Sequence, residues 1–132
     1  MLALGPGARL YFYTEPCDMR KGYAGLGGLV RAALGRDPGD GAVYCFVNRR
    51  RDRIKLLLFE GDGFAVYYKV LPEGTLEVPA ATLAPGPDGT AVPAAAISAQ
   101  TLHLILSGVH LRSVKRRKRY GREGAGEDPA SA

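Results

Sequence analysis

Apolar positions along this chain fall into five short runs that suit β-strands and two stretches at helical spacing. In "ARLYFYT", residues 8–14, alternation puts Leu10 and Phe12 on one face and Tyr11 and Tyr13 on the other. Aromatic content and period-two alternation together predict a strand. In "DMRKGYAGLGGLVRAALG", residues 18–35, Tyr23, Leu26, Val30 and Ala33 follow helical spacing. Asp18 is placed to cap the start and Gly35 lies just past the end, so the spacing predicts a helix over about 19–34. Gly22, Gly25, Gly27 and Gly28 each cost about 1 kcal/mol relative to alanine inside a helix. Close packing of the helix on a sheet is the expected compensation.

The turn cluster "DPGDG" at 37–41 leads into the nearly continuous apolar run "AVYCFVN". A basic loop follows, then "RIKLLLFE" at 53–60 and "FAVYYKVL" at 64–71, separated by "GDG". That separator predicts a tight hairpin in which Gly61 or Gly63 takes positive φ. Residues 42–71 therefore predict an antiparallel three-stranded meander, to which "GTLEV" at 74–78 adds a short edge strand. Residues 79–96 hold four of the nine prolines without periodicity and predict a linker or long loop. After it, Ser98 caps a short helix "AQTLHLILS" that ends at Gly108 and presents Leu102, Ile105 and Leu106 on one face. So short a helix must dock on the core. The expected organisation is an α+β core over 1–78, the linker, a docking helix within 97–111, and a basic arm with a disordered tail over 112–132.

Composition narrows the class. At 132 residues the chain is long enough for one domain with a core, and its 46% apolar share is that of a globular protein. No run reaches the roughly 20 apolar residues of a membrane span, and the first residues do not form a secretory leader, so the cytoplasm is the expected compartment and no membrane partner is expected. The two cysteines, Cys17 and Cys45, are expected to be reduced, with Cys45 buried in its strand. Neither histidine shares metal-ligand spacing with a cysteine, and no metal or other cofactor is expected.

Charge changes the picture more. The net charge is +5, but residues 48–55 carry a local +4 and residues 112–122 a local +7, so the remainder of the chain is acidic. Two concentrated positive segments on an acidic body make local fields that can capture and orient a polyanion. Arginine suits the task, because its planar fork meets phosphate oxygens in pairs or stacks on a base. The candidate phosphate contacts are Arg49, Arg50, Arg51, Arg53 and Lys55 in the loop and Lys115, Arg116, Arg117, Lys118 and Arg119 in the second segment. Arg20 and Lys21, in the first predicted helical turn, are further candidates. The plainer account is a solvated hairpin end and a solubilising tail. Tyr11, Tyr13, Tyr44, Tyr67 and Tyr68 raise a base-stacking platform, or are ordinary core tyrosines.

The carboxylates that could serve a metal-dependent nuclease are Asp18, Asp52, Glu60 and Asp62, but their spacing does not force them together. Asp18 is accounted for as a cap and Asp62 as a turn residue. "GYAGLGGLV" does not meet the dinucleotide fingerprint, and no phosphate-binding Walker loop or nucleophile elbow occurs. The expected class is a non-enzyme.

Three segments, "PCDMRKGYAGL" at 16–26, "DRIKLLLFEGDG" at 52–63 and "ISAQTLHLILSGV" at 97–109, resemble the small TnpB-type accessory protein of insertion sequence 66 transposons. The resemblance covers roughly residues 2–110. It implies a protein that assists transposition beside a separate transposase carrying the catalytic carboxylates, unrelated to the RNA-guided nuclease of the same label. Phe59 stands where relatives tend to carry tryptophan, and His110 and Leu111 where they carry an acid then tryptophan. Taken together, the expected fold is α+β, an antiparallel sheet of four to five strands with one helix packed on a face and a short C-terminal helix. The expected function is a non-enzymatic accessory protein of DNA transposition. It would bind DNA, at transposon ends or non-specifically, through residues 49–55 and 112–122. The alternative is a protein-interaction module that docks on the partner transposase without touching DNA.

Overall fold

A computed structural model describes residue 4, residues 7–79 and residues 86–108. The elements are β1 (Leu10–Tyr13), α1 (Tyr23–Leu34), β2 (Val43–Val47), β3 (Arg53–Phe59), β4 (Phe64–Val70), β5 (Ala94–Ile97) and α2 (Ala99–Ser107). They build one five-stranded sheet in the order β4-β3-β2-β1-β5, so the α+β expectation holds. The sheet is mixed, because β1 and β2 run parallel while the other three pairings are antiparallel. Helix α1 lies between β1 and β2 in the chain, and a parallel pair needs such a crossover.

Alternation decides which side chains face which helix. Leu10 and Phe12 join Cys45, Leu56, Leu102 and Ile105 in a buried cluster on the α2 side. On the opposite face Tyr44, Phe46 and Leu57 pack with Leu26, Val30 and Leu34 of α1. Strand β2 is central and buried on both faces, which is why its sequence is continuously apolar rather than alternating. Cys17 and Cys45 are free thiols in different clusters, on opposite faces of the sheet. Burial pushes both thiols up.

Helix α1 starts later than the predicted 19, at Tyr23, with Gly22 as an N-cap that supplies no side-chain acceptor. Asp18 is not its cap. The Asp18 carboxylate instead accepts the amide of Arg20 at 2.9 Å, and its carbonyl accepts the amide of Lys21, closing a separate turn before the helix. The helix glycines do not mark a close approach to the sheet either. Gly28 points to open space, and buried Gly27 faces Pro38 of the 37–41 turn. Both predicted C-terminal stops hold, with Gly35 and Gly108 in the left-handed region, and Ser98 accepts the amide of Thr101 as the α2 cap.

Two further expectations need correction. Residues 94–97 form edge strand β5 against β1, although the linker was predicted to reach 96. Alanine is depleted in strands and Pro93 precedes the run, so local pattern hides a strand that exists through its pairing with β1. Segment 74–78, predicted as an edge strand, forms none. Its alternation reflects burial of Leu76, whose amide donates to the carbonyl of Arg51. Residues 80–85 and the predicted arm and tail at 112–132 lie outside the described residues.

Candidate functional site

The basic loop is a built turn. The Asn48 carbonyl accepts the amide of Arg51 at 3.0 Å, leaving Arg49 and Arg50 at the corner. Asn48 Oδ1 then accepts the amides of both Asp52 and Arg53, each at 3.0 Å, while its Nδ2 donates to Asp52 Oδ1 at 2.7 Å. Arg51 takes φ 60°, the one positive φ outside glycine among the described residues. A long side chain tolerates that region poorly, so the Asn48 clamp holds a turn that Arg51 alone would not choose. Asp52 helps close this turn through its Oδ1. Among the described residues nothing accepts a hydrogen bond from the guanidinium of Arg49 or Arg50.

Beside this turn lies segment 17–20. The Cys17 amide donates to the carbonyl of Val47 at 2.9 Å, which sets the segment against the end of β2. Between the two is a concavity of about 590 Å³ lined by Arg20, Arg49, Arg50 and Arg53, by the carboxylates Asp18 and Asp52, and by Met19 and Tyr68. Two motifs some thirty residues apart, "CDMRK" and "NRRRDR", thus meet in space. Arg20 is braced by Asp18, its Nε and Nη2 donating to the carboxylate at 3.0 and 2.7 Å. Those hydrogen bonds, with the Arg20 amide, hold the Asp18 carboxyl at about 2, well below the ordinary carboxylate range. This interaction stabilises the turn above the unfolded-state value near 3.9 and is lost as pH falls toward 2. An NMR titration is expected to place the Asp18 midpoint near 2, and Arg20→Ala to return it toward the ordinary range. A midpoint unmoved by Arg20→Ala would contradict the assignment.

Not every sequence candidate joins the concavity. Arg51 turns away, toward a smaller hollow beside Glu15 and Val78. Lys55 donates to the carbonyl of Lys21 at 2.8 Å and sits 4.8 Å from the centre of the Tyr68 ring. It buttresses the wall from beneath. Lys21 contributes that carbonyl, and its side-chain stem passes by Gly25. Lys115, Arg116, Arg117, Lys118 and Arg119 lie outside the described residues, as do His110 and Leu111.

The tyrosine platform does not assemble. Tyr44 is fully buried and Tyr11 stacks on it at 5.7 Å, Tyr13 packs on Phe46, and Tyr67 faces the α2-side cluster. Tyr68 alone of the five is exposed, at 44%, and its hydroxyl accepts from Arg53 Nη1 at 3.2 Å. Strand register is the signal that finds it: the "GDG" hairpin opposes Phe59 to Phe64, and counting back opposes Lys55 to Tyr68. Asn48 was missed for a different reason, since its importance lies in hydrogen bonds to residues four and five positions on.

The four carboxylates do not converge on one point, since Asp18 and Asp52 line the hollow and Glu60 and Asp62 do not. Asp52 sits at one end of β3, while Glu60 and Asp62 sit at the other, a separation of roughly 25 Å along the strand. Among the described residues no three acidic, histidine or cysteine side chains gather as metal ligands, and no helix is long and apolar enough to cross a membrane.

Fold and site together define a small α+β protein with an arginine-rich hollow, also lined by two carboxylates, at one end of its sheet. The chain belongs to the IS66 Orf2-like family, whose model matches residues 8–116. It is a transposition-related accessory protein of an insertion sequence. Two relatives from Sinorhizobium fredii (strain NBRC 101917 / NGR234) are similar along most of their length. The uncharacterized protein y4jC is 33% identical over 116 residues, covering 86% of this chain and 92% of the relative. The uncharacterized protein y4hO is 31% identical over 112 residues, covering 85% and 90%. No solved structure matches the chain.

Proposed function

We propose that this accessory protein binds DNA during transposition, holding backbone phosphates in the hollow between the 48–53 turn and segment 17–20. The observation that carries the reading is the pair Arg49 and Arg50. Both are exposed, fixed at the corner of a clamped turn and without an acceptor among the described residues. Arg20 and Arg53 flank them, and the basic segment 112–122 is proposed to add phosphate contacts of its own. Such contacts supply affinity and register without reading sequence. No chemistry on DNA is assigned to the protein, and none of its carboxylates is given a metal-binding role.

Anisotropy of labelled duplex and single-stranded DNA across a salt series tests this. Four phosphate contacts predict a log–log slope of about −3 to −4, steeper if the 112–122 segment takes part. Arg49→Ala with Arg50→Ala is expected to weaken binding about a hundredfold or more, since each charged hydrogen bond contributes about 1.5–3 kcal/mol. Affinity unchanged in that double variant would remove the hollow from the DNA-binding surface.

A second reading, docking on the separate transposase, draws on edge strand β4. Phe64, Val66 and Val70 are 37–45% exposed on one face of it, more apolar surface than an edge strand usually leaves open. Copurification separates the readings. Transposase retained without DNA favours docking, and retention only with terminal-repeat DNA favours the DNA-binding reading.

A further inference from the structure

We infer that the hollow takes a nucleotide of an unpaired strand, its base stacked on Tyr68 and its phosphate held by Arg49 and Arg50. This rests on the DNA-binding reading and goes beyond it, from phosphate contact to strand preference. At about 590 Å³ the concavity has the size of a small-ligand pocket. Phosphate-binding cations and an accessible aromatic ring line the same wall. An unpaired nucleotide needs both, because its π-face is free to stack only when it has left the base-pair stack.

Tyr68 is also positioned for stacking before any ligand arrives. Its hydroxyl is held by Arg53 Nη1 at 3.2 Å, and one ring face is occupied by the Lys55 ammonium at 4.8 Å. Lys55 is itself tied to the Lys21 carbonyl at 2.8 Å, so the ring is braced from the protein side and its remaining exposure opens outward. A ring held in this way loses little rotamer freedom on stacking. Met19 lines the same hollow and offers an apolar contact near the base.

The test uses the full chain, a short labelled oligothymidine and a duplex of equal length. Wild type is expected to favour the single strand, and Tyr68→Ala to weaken single-strand binding about five- to a hundredfold, the effect of one stacked base, and to weaken duplex binding by a clearly smaller factor. Tyr68→Phe keeps the ring and is expected to keep single-strand affinity. Tyr68→Trp introduces the one tryptophan of the chain, whose emission is expected to quench as oligothymidine binds. It keeps the test decisive if Tyr68→Ala fails to fold. Unchanged emission at saturating oligothymidine, or full single-strand affinity in a folded Tyr68→Ala, would overturn the inference. If Arg49→Ala with Arg50→Ala still weakened DNA binding, the broader reading would stand without it. No binding of either DNA would remove both.

Discussion

Alanine at Phe12 or at Phe46 is expected to cost about 3–5 kcal/mol in either case, a large part of the 5–15 kcal/mol that stabilises a typical domain. Both rings are fully buried, on neighbouring strands but opposite faces of the sheet. Phe12 fills the layer beneath α2 with Leu102 and Ile105, and Phe46 fills the layer beneath α1, tilted against Tyr13 at 5.9 Å. Each loss combines removed apolar burial with a cavity that the rigid sheet closes only partly. Urea unfolding gives the measurement: the midpoint falls while the slope stays constant if the native fold is retained. Phe64→Ala is the contrast. That ring is 37% exposed, stacked on Tyr23 and tilted on Phe59, and its loss is expected to cost about 1 kcal/mol or less. The Phe12 result also tests the thinner layer. A cost near that of Phe64 would mean that nine-residue α2 does not complete a second core face.

That second layer was legible in the sequence because α2 carries its own start and stop, Ser98 and Gly108, around an apolar face. The β2–β4 meander was legible for a similar reason, since its apolar runs are bounded by "DPGDG", the basic loop and "GDG". Gly61 takes the positive φ that such a hairpin turn requires. Elements set by tertiary pairing were not. Strand β5 is three alanines and an isoleucine behind a proline, and only its register with β1 makes it a strand. Asp18 carries a cap signal that its own turn with Arg20 and Lys21 uses instead. The parallel β1–β2 pair follows from the crossover through α1, which alternation along each strand does not encode.

The candidate site divides along the same line. Its charge could be read directly, whereas its membership depended on the folded chain. Arg51 and Lys55 belong to the basic run, yet the turn directs one away and the sheet face ties the other to Lys21. Tyr68 comes fifteen residues after Arg53 and reaches it through hairpin register. Segment 17–20 arrives because its Cys17 amide is held by β2. Composition could therefore place a concentrated basic segment on this chain, but a hollow with an arginine side and an aromatic side emerges only when three segments are brought together.

At the turn itself, Asn48→Asp is expected to be more damaging at neutral pH than Asn48→Ala, although aspartate is closer in shape. Alanine removes the acceptor of the Asp52 and Arg53 amides and the donor to Asp52. The site is half-buried, so water replaces part of what is lost and the cost is about 1–3 kcal/mol. Arg51 then has less to hold it at φ 60°, and Arg49 and Arg50 lose their fixed corner. Aspartate retains the acceptor but sets a second carboxylate where Nδ2 now lies 2.7 Å from Asp52 Oδ1. Two carboxylates at that separation cannot both ionise without strong repulsion, so the pair's apparent pKa rises above its unfolded value. By linkage, the variant is most stable relative to wild type at acid pH, where the pair shares a proton, and loses that stability as pH rises through the raised value. Unfolding midpoints measured from pH 3 to 8 are therefore expected to diverge from wild type with rising pH more steeply in Asn48→Asp than in Asn48→Ala. Parallel offsets in both variants would show that the Asn48–Asp52 contact does not close the turn. On the proposed DNA-binding reading, if that contact orders the arginine corner, DNA affinity falls in both variants, and in Asn48→Asp the added negative charge beside Arg49 and Arg50 deepens the loss.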